Sequence, residues 1–116
     1  MKLTINNTCA VLNNPERLTS GMVGKTLELS FSDEWNGLLK TAVFTNGAVS
    51  KDIENPTDIV VIPWEVLAQP NKTVSVALYG YTVEDGVKTY ALPTIYAEIG
   101  RVVKGGDPSG DPSAEL

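Results

Sequence analysis

Few side chains in this chain could do chemistry, and histidine is not among them: its 116 residues include none. That absence removes the commonest general base, the base of a nucleophilic triad and the commonest neutral metal ligand together. Cys9 is the single cysteine, so no internal disulfide can form, and its expected place is that of a small buried hydrophobe. Zinc or copper would have to be held by carboxylates, which those ions disfavour. Three carboxylate pairs remain: Asp33 with Glu34, Asp52 with Glu54, and Glu84 with Asp85. Adjacent residues of a strand point to opposite faces, so the first and third pairs could work as acid and base only across a loop. Asp52 and Glu54 share a face but sit beside a turn, where a solvated charge is the ordinary role. Asp107 and Asp111 bracket Pro108 and lack the bidentate glutamate of a calcium loop. No catalytic constellation, cofactor motif or metal site is expected, and the chain reads as non-enzymatic.

The other chemical resource is aromatic: Trp35, Trp64, Tyr79, Tyr81, Tyr90 and Tyr96. Two roles are open to Trp35 and Trp64, which both fall in loop or turn contexts. They can plug the two ends of a β-sandwich, or they can anchor a contact with a protein or a glycan. Tyr79 and Tyr81 fall on the strand face opposite Val76 and Leu78, where they would cover an edge or line an interface. Trp35, Trp64, Tyr79 and Tyr81 are therefore the candidate interface anchors.

The elements that must position these residues follow from period-2 alternation, which recurs along the chain while helical periodicity does not. Strands are expected at Lys2–Ile5, Cys9–Leu12, Thr26–Phe31, Leu39–Thr45, Ala48–Ile53, Ile59–Ile62, Thr73–Tyr81, Val87–Leu92 and Thr94–Val103. Asn46-Gly47 is the strongest hairpin signal, predicting a tight turn with positive φ at both central residues. Glu84-Asp85-Gly86 predicts a second hairpin. Pro63–Ala68 allows one helical turn with proline at its first position. Eight or nine short, evenly spaced strands leave no room for crossover helices and predict an antiparallel β-sandwich, immunoglobulin-like or jelly-roll-like. Residues 1–104 form that domain. The Gly/Asp/Pro/Ser composition of residues 105–116 predicts a flexible linker or tail.

Charge and hydropathy exclude further classes. The net charge is -5, and the nine Lys and Arg residues are scattered rather than clustered. Nucleic acid and anionic membrane are thus poor partners. The N-terminus turns polar before a signal-peptide core can form, and no apolar stretch approaches the ~20 residues that span a bilayer. The glycosylation patterns Asn6-Asn7-Thr8 and Asn71-Lys72-Thr73 are then chance matches.

Four phrases resemble a known family. Ser32-Asp33-Glu34-Trp35-Asn36-Gly37-Leu38-Leu39-Lys40-Thr41-Ala42-Val43-Phe44 is similar to a segment near the N-terminus of fibre and baseplate proteins of phages and prophages from Gram-positive, Clostridia-type bacteria. Ile62-Pro63-Trp64-Glu65-Val66-Leu67 and Leu92-Pro93-Thr94-Ile95-Tyr96-Ala97-Glu98-Ile99-Gly100 resemble the next two landmarks. The run Gly106 to Ser113 resembles the linker that follows. The resemblance implies a β-sandwich that attaches a fibre or baseplate component to the virion, with other phage structural proteins as partners and a trimer as the favoured oligomer. A carbohydrate-binding module, or a stand-alone capsid decoration or head-fibre protein, is the alternative expectation.

Overall fold

In the computed structural model, which describes residues 1–106, ten strands form two sheets that pack face to face. They are β1 (Lys2–Asn6), β2 (Cys9–Asn13), β3 (Leu18–Thr19), β4 (Thr26–Phe31), β5 (Leu39–Thr45), β6 (Ser50–Glu54), β7 (Ile59–Val61), β8 (Thr73–Glu84), β9 (Val87–Pro93) and β10 (Ala97–Val103). The smaller sheet has the order β2-β1-β4-β7, and the larger one β3-β10-β8-β5-β6, with β9 also paired to β8. The all-β sandwich that the alternation predicts is thus the fold. Its sheets are mixed rather than wholly antiparallel, because β1 pairs β4 and β10 pairs β3 in parallel. Strand β3 is only two residues long, too short to leave a periodic signal, although its Leu18 is buried. The tail expected from residue 105 lies, from residue 107 on, outside the described residues, as do Asp107 and Asp111. Gly105 still lies against the sandwich, donating its N–H to the Ser20 hydroxyl at 2.9 Å.

Alternation decides what each strand buries. Leu3 and Ile5 of β1, Leu27 and Leu29 of β4, Ala42 and Phe44 of β5, and Val74, Val76 and Leu78 of β8 all point into one shared core. The two ends of the sandwich are sealed differently. At one end Val66 and Leu67, from the 3₁₀ turn Trp64–Leu67, are buried. At the other end the 3₁₀ turn Asp33–Trp35 drives Trp35 into the core. There the indole lies on the backbone of β8 at Gly80. A Cβ at that position would stand 2.8 Å from Trp35 Cζ3 and 2.9 Å from Leu38 Cδ1. The indole N–H donates to the Asn7 carbonyl at 3.0 Å, which ties the β1–β2 turn to the plug.

The turns differ from expectation in an instructive way. Asn46-Gly47 does join a hairpin, β5 to β6, but Thr45 pairs with Ser50, so the connection has four residues. Only Gly47 takes positive φ, and the buried Asn46 acts through its side chain. Its Oδ1 accepts the N–H groups of Ala48 and Val49, at 2.9 and 2.7 Å, making Asn46 the first residue of the turn rather than a central one. The two-residue turn with positive φ at both centres occurs instead at Asp85-Gly86, between β8 and β9.

Cys9 also departs from expectation: it is exposed, not buried. It opens the edge strand β2 opposite Asn6, on the outward face, so the pleat turns its thiol away from the core. Folded protein should accordingly react with one equivalent of a thiol-specific disulfide reagent as fast as the urea-unfolded chain does. A large lag in the folded state would show Cys9 to be covered.

Gly80→Ala should lower stability by about 1–3 kcal/mol, because a methyl group must displace the indole or the strand. Trp35→Phe should itself destabilise, yet leave room for that methyl. The double variant should then be more stable than the sum of the two losses by roughly 1 kcal/mol in a urea-denaturation cycle. Strict additivity would place the strain elsewhere.

Candidate docking surfaces

The sequence singled out four aromatic anchors, and the fold separates them into three settings. Trp35 is fully buried, so it offers no surface to a partner and drops out as an anchor. Trp64 begins the 3₁₀ turn at the opposite end, where Val66 and Leu67 do the sealing. It points outward and is 56% exposed. The expectation that both tryptophans plug the sandwich ends therefore holds for one of them.

Tyr79 and Tyr81 lie on β8, on the face opposite the buried Val76 and Leu78, and both are half-buried. Their ring centroids are 5.7 Å apart, and the Lys88 ammonium sits 5.0 and 5.1 Å from them. Lys88 arrives from β9, so the hairpin folds its own cation onto these rings. Phe31 is similarly engaged, with Trp35 at 5.3 Å and the Lys40 ammonium also at 5.3 Å. A flat sugar-stacking surface needs open ring faces, and these rings have theirs occupied.

The carboxylate pairs are not assembled into a site. Asp52 and Glu54 are exposed on β6, Glu84 and Asp85 stand at the tip of the β8–β9 hairpin, and Asp33 and Glu34 lie in the 3₁₀ turn. Hydrogen bonds from the Ser32 hydroxyl and the Glu34 N–H hold the Glu34 carboxyl below its usual range. Among the described residues, no group of three or more metal-ligating side chains converges.

Exposed apolar surface gathers at the Trp35 end instead. Strand β5 begins at Leu39, opposite Tyr81, so from Thr82 onward β8 has, among the described residues, β9 as its only strand neighbour, and the pair continues as a two-stranded arm. Val83 and Val87 flank its acidic turn and Tyr90 follows, all exposed. At the base of the arm lies the joint between β9 and β10. Thr94 is buried there, donating its N–H to the Leu78 carbonyl at 2.8 Å and accepting the Leu78 N–H on Oγ1 at 2.9 Å. Thr94 thus bridges the ladder where one strand stops and the next begins. Ile95 follows, held by its N–H to the Thr8 carbonyl at 3.1 Å. The side chains of Ile95 and Tyr96 are nevertheless 66% and 56% exposed. The joint therefore presents two adjacent apolar side chains from a fixed backbone. The sequence shows Tyr96 as one aromatic among several but does not mark this pair as exposed, since alternation assigns both to an ordinary strand.

Along β4 of the smaller sheet, with Lys40 of the larger sheet in its wall, lies a groove of about 540 Å³ lined also by Lys2, Glu28, Phe31, Asp58 and neighbouring residues. Comparison of the chain with protein-family models, curated proteins and solved structures gives no match.

The two tryptophans should respond oppositely to truncation. Trp35→Ala should cost about 3–5 kcal/mol of stability, whereas Trp64→Ala should change it by less than ~0.5 kcal/mol. Acrylamide should quench Trp64 emission readily and leave that of Trp35 almost untouched. Equal quenching of the two would contradict this placement.

Proposed function

We propose that the chain is a non-enzymatic structural protein of a phage virion, docking a fibre or baseplate component to the particle through protein–protein contacts at the Trp35 end. The observation that carries this reading is the rigid, exposed pair Ile95–Tyr96 at the foot of the β8–β9 arm. Large apolar side chains on a fixed backbone lose little freedom on binding, which is what an interface anchor needs. Val83, Val87 and Tyr90 extend the same apolar character along the arm.

The family resemblance supports the same role. Much of its phrases is core: Trp35, Ala42, Phe44, Ile62, Val66, Leu67, Leu92 and Ile99 are all buried. Packing accounts for those residues. It does not account for Ile95 and Tyr96, which belong to the third phrase and face solvent. A docking surface does. Glycan recognition is the weaker reading, because Phe31, Tyr79 and Tyr81 already carry lysine ammonium groups on their rings.

Immunogold electron microscopy of particles from the encoding strain, with an antibody raised against this domain, should label one fixed position. Replacing Ile95 and Tyr96 together by serine should leave the melting temperature nearly unchanged and reduce incorporation into particles by about tenfold or more. Well-preserved particles that lack both label and protein would remove the virion reading. Undiminished incorporation of the double variant would move the docking face elsewhere.

A further inference from the structure

We propose that the groove beside β4 receives an extended segment of a partner chain by strand addition, with an acidic side chain of that segment set against Lys40. The groove contains neither Ile95 nor Tyr96, so this goes beyond docking through those residues and does not depend on it.

The backbone of β4 carries the case. Glu28 and Ser32 donate their N–H groups to Met1 and Ile5 of the β1 side, so alternation turns Leu27, Leu29 and Phe31 the other way. On that side β7 covers Leu27, and Leu29 donates to the Asp58 carbonyl at 2.7 Å. There the neighbour ends. Residues 55–57 swing across to the larger sheet, where the Asn55 N–H bonds the Lys40 carbonyl at 2.7 Å. The slot beside Phe31 is left open, and the Phe31 N–H and C=O have no hydrogen-bonding partner among the described residues. A residue of an incoming antiparallel strand placed opposite Phe31 could satisfy both groups at once and continue the line of β7. The groove, at about 540 Å³, is roomy enough for side chains of an incoming segment.

Charge supplies the chemistry of the occupant. Lys2 and Glu28 are register neighbours on adjacent strands, and Asp58, opposite Leu29, also lines the groove. Lys40 lines it too, beside Phe31. Among the described residues its ammonium, over the Phe31 ring, donates to the Leu38 carbonyl at 3.1 Å and has no carboxylate within salt-bridge distance. A carboxylate from the partner would complete it. Among the described residues the outer edge of β9 is also unpaired, but Lys88 and Pro93 guard it, as edge strands are commonly guarded.

The test uses ¹⁵N-labelled chain titrated with acetylated, amidated heptapeptides of alternating threonine and valine, carrying a central aspartate or a central lysine. The Phe31 amide should shift downfield and gain protection from exchange. The aspartate peptide should bind about five-fold more tightly than the lysine peptide, and Lys40→Gln, with its fold confirmed by the same spectra, should abolish that preference. N-methylation of the peptide backbone should weaken binding at least about tenfold. No Phe31 response at millimolar peptide, shifts confined to the β8–β9 arm, or equal binding of N-methylated peptide would each overturn the proposal. Absence of the protein from virions would leave the Phe31 response intact, so the two readings fail separately.

Discussion

The contact between the Trp35 indole and the bare backbone at Gly80 governs one whole end of this molecule. An indole against a strand requires that the strand carry no side chain there, and Gly80 meets that requirement on a face otherwise filled by Val74, Val76 and Leu78. The same ring holds the Asn7 carbonyl through its N–H and packs on Phe31. One side chain therefore fastens the β1–β2 turn, the end of β4 and the middle of β8 together. With so much of its surface removed from water, Trp35 stabilises the fold and is unavailable to a partner.

That sealed end is what allows the exposed features around it to be presented rigidly. Strand β8 is twelve residues long, and its far end runs past the start of β5 into the arm. On one edge it takes β9 and β10 in succession, and Thr94 hydrogen-bonds across the gap between them. On the other sheet, the crossing from β6 to β7 leaves β4 longer than its neighbour. Both the apolar joint and the polar groove are thus consequences of strand lengths that do not match. The sealed core makes those mismatches tolerable by keeping the apolar interior dry.

Lysines recur at this end with a common function. Lys88 and Lys40, both from the larger sheet, each place an ammonium over aromatic rings, Lys88 on its own sheet and Lys40 on Phe31 of the smaller one. Such contacts cover ring faces that would otherwise be sticky, while keeping charge at the surface. They also separate two kinds of exposed aromatic. Tyr79 and Tyr81 are internally satisfied, and Tyr90 and Tyr96 are not covered in this way.

How much of this was legible beforehand depends on the range of the interaction involved. Alternation along Thr26–Phe31, Leu39–Thr45 and Thr73–Tyr81 was enough to assign strands, the inward faces and an all-β sandwich, because the two-residue pleat is a local property of the chain. The acid-acid-Gly turn at Glu84–Gly86 and the helical turn after Pro63 were equally local. Register, strand order and parallel pairing were not. The open backbone at Phe31, the arm beyond Leu39 and the exposure of Cys9 all depend on which strand lies alongside and where it stops. Trp35 and Trp64 both fall in turns in the sequence, and end as core and surface. The sequence by itself determined which side chains can point inward together. Only the tertiary structure decided which found a neighbour, because a neighbour distant in the chain leaves no period in the residues it covers.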